Sequence, residues 1–135
     1  MNDADAEILV ASFYRHYNSH DVAAVGALYA EDGAHEDIAG GKRREGRQSV
    51  ESGLAGFFSM LPDVAFAIEN TVFSREAAVV FYRMTGHIGR DFGTMPTKGK
   101  PIALAGVHVF ALEAGRIKAT TDFWNEADFK RQLAA

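Results

Sequence analysis

The feature that most constrains this chain is a change of hydrophobic period at Pro62-Asp63. Before it, apolar residues recur at helical spacing; after it, they alternate. Ala6, Leu9, Val10, Phe13 and Tyr17 fall on one face and predict a helix over 5–19, with Asp3 or Asp5 as its cap. Asn18-Ser19-His20-Asp21 interrupts it, and Asp21 can cap a short second helix through Tyr29. A short extended stretch is expected at 33–39, then a basic loop from Lys42 to Arg47. Val50, Leu54, Phe57, Phe58 and Leu61 predict a third helix over 47–61, which Pro62 stops. Gly53 and Gly56 weaken that helix by about 1 kcal/mol each. They are explained if they permit close packing or leave room for a ligand.

Beyond Asp63, Val64, Phe66, Ile68 and Val72 are expected on one side of a strand. Further strands are expected at 77–88, 102–112 and 116–124, with a loop at 89–100 and a short terminal helix after Asn125. Helices followed by a run of strands argue for an α+β domain: a strongly bent antiparallel sheet wrapped around N-terminal helices. Such a sheet encloses a cone, and the open end of a cone is a natural pocket.

Composition narrows the function classes. The 135 residues fit one domain, and 47% hydrophobic with 24% charged is ordinary for a globular chain. Fourteen Lys and Arg against eighteen Asp and Glu give a net charge of −4, which argues against a nucleic-acid partner. There is no cysteine, hence no disulfide framework, thiol nucleophile or thiolate zinc site, and a cytoplasmic location is expected. No apolar run approaches the ~18 residues of a membrane span, and the acidic start Asn2-Asp3-Ala4-Asp5 is unlike a signal peptide.

The last hairpin carries the clearest chemistry. His108 and Asp122 lie seven residues either side of Gly115. A three-residue loop, Glu113-Ala114-Gly115 with glycine in the left-handed position, is expected and puts them on one face, where imidazole and carboxylate form an acid–base unit; a two-residue Ala114-Gly115 loop would put them on opposite faces. Thr120 and Trp124 share the parity of Asp122. Alternation sets His35 and Asp37 on one face of their strand and Glu36 on the other. His87 shares parity with Arg83, and Tyr14 and Tyr17 can project hydroxyls from the first helix. A metal site built from His35, Asp37, His87 and His108 lacks any tight ligand spacing, so no metal is expected.

The order of these pieces resembles the SnoaL-like polyketide cyclases of the nuclear transport factor 2-like superfamily. The resemblance rests on Phe13-Tyr14-Arg15-His16-Tyr17 with its Asn18-to-Asp21 ending, on Tyr29 to His35, on Thr85 to Gly89, and above all on His108 to Trp124. It implies a single domain over 1–135 that acts without metal or organic cofactor. It further implies intramolecular aldol closure of a hydrophobic carbonyl substrate, with Asp122 as general acid/base and His108 beside it. Tyr17, His35, Asp37, His87 and Trp124 are then expected around the pocket, and a homodimer through the outer sheet face. Ketosteroid isomerases share the superfamily, and Asp37 aligns with their base; their oxyanion-hole positions hold Phe13 and Gly106 here, so that constellation is incomplete. A non-catalytic binding or dimerisation module, and isomerase or hydrolase chemistry centred on Asp37, are the alternatives.

Overall fold

The computed structural model describes residues 2–135 and contains four helices and six strands. The helices are α1 (Asp3–Asn18), α2 (Val22–Leu28), α3 (Arg47–Met60) and α4 (Glu126–Ala134). The strands are β1 (Tyr29–Asp37), β2 (Lys42–Glu45), β3 (Ala65–Ser74), β4 (Ala77–His87), β5 (Pro101–Glu113) and β6 (Arg116–Trp124).

Three helices start on side-chain caps. Asn2, not Asp3 or Asp5, caps α1; Asp5 is the return arm of a capping box. Asp21 and Asn125 cap α2 and α4. Asn18 does more than end α1. Its side-chain amide donates to the Phe66 carbonyl at 3.0 Å and accepts from the Phe66 N–H at 2.7 Å, pinning β3 under α1. The interruption between the first two helices is therefore also the clamp that fixes Phe66.

The six strands form one sheet in the order β2-β1-β6-β5-β4-β3. It is mixed rather than wholly antiparallel, because β1 runs parallel to β6. The stretch expected as a basic loop contains β2, which pairs with β1 from Ala34↔Glu45 to Asp37↔Lys42. Lys42-Arg43-Arg44-Glu45 has no apolar residue to signal a strand; a short, charged edge strand is how sheets protect an open edge. Val72 is 51% exposed rather than buried, since the register of β3 shifts between Ile68 and Asn70 and turns it to the outer face; Ile68, before the shift and opposite Tyr82, is also 41% exposed.

The core lies between the concave sheet face and the helices. Phe13, Val25, Leu61, Val80, Ile102, Phe110 and Ile117 are almost completely buried. Each such side chain contributes about 1.5–3 kcal/mol by leaving water. Beyond the end of β6, the Gln132 side chain bonds both the N–H and the C=O of Ala103, so α4 caps the free edge of β5. No helix among the described residues is long and apolar enough to cross a membrane.

Candidate functional site

The β5–β6 hairpin sets the site. Its loop is the two-residue Ala114-Gly115, both at positive φ, and Glu113 pairs directly with Arg116. That contradicts the expected three-residue loop. The two-residue loop alone would separate His108 and Asp122 onto opposite faces. A register shift restores their parity: Leu112 pairs with Ile117 but Ala111 pairs with Ala119, leaving Lys118 as the extra residue. His108 and Asp122 end directly opposite each other, on the inner face.

That face opens onto a cavity of about 380 Å³, within the range of small-molecule sites. His108 is at its deep end, 1% exposed, ringed by Phe13, Tyr14, Tyr17, Phe66, Tyr82 and Phe110. The His108 Nδ1 lies 2.6 Å from the Tyr14 hydroxyl, and its Nε2 faces Asp122 Oδ1 at 3.5 Å. Burial, and then the nearby Tyr17 and Asp122, raise the Tyr14 pKa far above the phenol range. Tyr14 therefore keeps its proton and donates to Nδ1, which leaves Nε2 as the N–H on the Asp122 side.

Asp122 is 18% exposed at its side chain. Its Oδ1 accepts from the Tyr82 hydroxyl at 2.7 Å. Burial opposes ionisation, but His108, the Tyr82 hydrogen bond and the more distant His35 outweigh it, and the Asp122 carboxyl is held below its ordinary range. Asp122 is thus an ionised carboxylate at neutral pH. Tyr82 is itself raised, by burial first and then by Asp122, so it remains a donor.

Tyr82 was not singled out by sequence, yet a signal was present. Gly106 is its cross-strand partner, and a β-carbon there would overlap the Tyr82 hydroxyl. Glycine lets the phenol lie across β5 to reach β6.

Five further residues expected around the pocket were Tyr17, His35, Asp37, His87 and Trp124. Tyr17, His35, Asp37 and Trp124 all line the cavity, on α1, β1 and β6. His35 Nδ1 meets Thr120 Oγ1 at 2.7 Å, and Tyr29 reaches the same oxygen at 2.7 Å. Burial, then His108, push His35 down to about 4. Asp37 Oδ1 accepts from Trp124 Nε1 at 2.8 Å and from the Gly40 N–H at 3.1 Å. His87 does not join them. It lies outside the cavity, 61% exposed, with its Nδ1 2.6 Å from Asp63. It ends β4 at odd parity, on the face opposite Tyr82 and Met84. Among the described residues no three His, Asp or Glu side chains cluster as a metal centre.

The expected basic loop contributes unforeseen lining residues, Lys42 and Arg44 on β2, and Arg90 joins them from the loop after β4. Gly53 and Gly56 of α3 line the same opening.

Comparison with known proteins matches this architecture. Comparison with curated proteins gives no match. A candidate polyketide cyclase from Xanthomonas campestris pv. campestris superposes with a TM-score of 0.84 at 25% identity, over 98% of this chain and 99% of that one. A candidate SnoaL-like polyketide cyclase from a Jannaschia species gives 0.87 at 17% identity, over 98% and 93%. A hypothetical protein of ketosteroid isomerase-like fold from Catenulispora acidiphila gives 0.81 at 21%, over 93% and 92%. The model of the SnoaL-like domain matches residues 10–120, most of the length, and the chain belongs to the SnoaL-like domain family.

Proposed function

We propose that this protein is a cofactor-independent acid/base enzyme that closes a ring in an apolar carbonyl compound by an intramolecular aldol step. The observation that carries the reading is the ionised Asp122 carboxylate, opposite His108, at the inner end of an aromatic-lined cavity. Asp122 takes the proton α to a carbonyl. The resulting enolate carbon bonds to a second carbonyl carbon of the same molecule, whose oxygen becomes an alkoxide. The proton held by Asp122 returns to that oxygen, so no other reactant is consumed. Tyr17 lines the same cavity, and burial, then Asp122, raise its pKa well above the phenol range. Its proton is available to an enolate oxygen. A carboxylate below its ordinary range is a weak base, which suits a C–H activated on both sides, by two carbonyls or by a carbonyl and an aryl ring.

The family match and the cyclase-like neighbours support this reading. Asp37 is the weaker candidate base, since its partners are Trp124 and the Gly40 N–H, whereas Asp122 is the carboxylate that a histidine faces inside the cavity. The test is ring closure of an aryl-substituted linear diketone built for six-membered closure. Asp122→Asn keeps an acceptor for Tyr82 and is expected to lose about 10²–10⁴-fold in rate. Asp37→Asn is expected to retain closure. The reverse pattern moves the chemistry to Asp37, and full activity in both variants leaves a binding module.

We further propose a homodimer through the outer sheet face, where Val72, Phe81 and Phe123 are exposed.

A further inference from the structure

Three cations line the cavity: Lys42, Arg44 and Arg90. None is within ion-pair distance of a carboxylate among the described residues. Lys42 and Arg90 are exposed, which places them at the mouth, while Arg44 is half-buried. Arg44 sits opposite His35 across the β1–β2 pair, facing inward. Its guanidinium makes one long contact, from Nη1 to the Ser49 carbonyl at 3.4 Å.

The helix above is shaped around this side chain. A β-carbon at Gly53 would lie 2.6 Å from Arg44 Cδ and Nε. One turn on, a β-carbon at Gly56 would meet nothing within 4 Å. The first glycine makes room for the arginine stem; the second leaves open space in the cavity wall. Both glycines weaken α3 intrinsically relative to alanine.

Charge gives the ligand's valence. The chain carries a net −4, yet its cavity holds three cations against two carboxylates, Asp37 and Asp122. Over the whole cavity that leaves one positive charge, and its cations, Lys42 and Arg90 at the mouth and the half-buried Arg44, lie apart from Asp122 at the inner end. We propose that the substrate is an apolar carbonyl compound bearing one carboxylate, gripped at the mouth by the Arg44 fork with Lys42 and Arg90 flanking it. Arginine suits this group because its planar donors match both carboxylate oxygens. The substrate's reacting carbon then extends inward toward Asp122. This inference rests on the acid/base reading for the site's purpose, but not for its test.

The test is equilibrium binding by calorimetry of two probes of equal shape, β-naphthoate and β-naphthamide. Wild type is expected to bind the acid about tenfold or more tightly than the amide, as a charge-assisted contact implies. The preference is expected to shrink as salt rises. Arg44→Gln is expected to abolish it while amide binding stays unchanged, showing an intact cavity. Arg44→Lys is expected to keep part of it. Equal affinity in wild type, binding of neither probe, or a full preference surviving in Arg44→Gln overturns the inference. Since no turnover is read, failure of Asp122 as a base and failure of Arg44 as a carboxylate grip show up in separate experiments.

Discussion

At the residue scale, two contacts decide how the site responds to pH. The Tyr82 hydrogen bond is one reason Asp122 stays ionised. Tyr82→Phe removes it, so the Asp122 pKa is expected to rise and the acid limb of the rate profile to move to higher pH. The same variant is expected to lose about 1 kcal/mol of stability, the usual value of one hydrogen bond. An unmoved acid limb would show that Tyr82 does not tune the carboxylate. His35 carries the second contact. Unfolded, it takes its proton near 6.5; folded, burial lowers that to about 4. Between those values the unfolded chain binds more protons, so stability is expected to fall as pH drops through that window, by on the order of 2–3 kcal/mol. Denaturant midpoints measured across it should show the slope in wild type and a flatter line in His35→Gln. Asp122 acts lower on the scale: its depressed pKa adds stability above the ordinary carboxylate value, lost as pH falls through the folded one.

At the scale of elements, glycines and one irregular strand place the chemistry. Gly106→Ala is expected to push the Tyr82 ring off Asp122 and so to reproduce the pH shift of Tyr82→Phe. Gly56→Ala meets open space and is expected to stabilise α3 by about 0.5–1 kcal/mol in thermal or denaturant unfolding. What the sequence made legible follows from this. Nine of the ten elements are expected from the sequence, most of them because helix spacing before Pro62 or alternation after it marks one apolar face. The strand β2 gave no such signal, being wholly charged, and with it the lining cations Lys42 and Arg44 were hidden. The shared face of His108 and Asp122 was reached through the wrong loop, since nothing in Lys118-Ala119 announces a register shift. Tyr82 was missed for a different reason: its partner lies forty residues away, and only Gly106 hints that a ring crosses there. His87 has the right residue type and the wrong parity, which places it with Asp63 instead.

At the scale of the whole molecule, the curled sheet separates two tasks. Its concave face holds the cavity, and its convex face leaves Val72, Phe81 and Phe123 open. If that face joins two copies, Phe81→Glu with Phe123→Glu is expected to yield a monomer by analytical ultracentrifugation, with cavity binding preserved. A monomeric wild type would remove the dimer and leave the site untouched. The central claim is that Asp122 removes a proton from carbon inside this cavity. It is tested most directly by NMR, following exchange of the α-protons of β-tetralone in deuterated buffer, with wild type and Asp122→Asn side by side. The account expects wild type to accelerate exchange well above buffer and Asp122→Asn to fall back by about 10²-fold or more. Equal rates in the two proteins, or no acceleration by wild type, would contradict it.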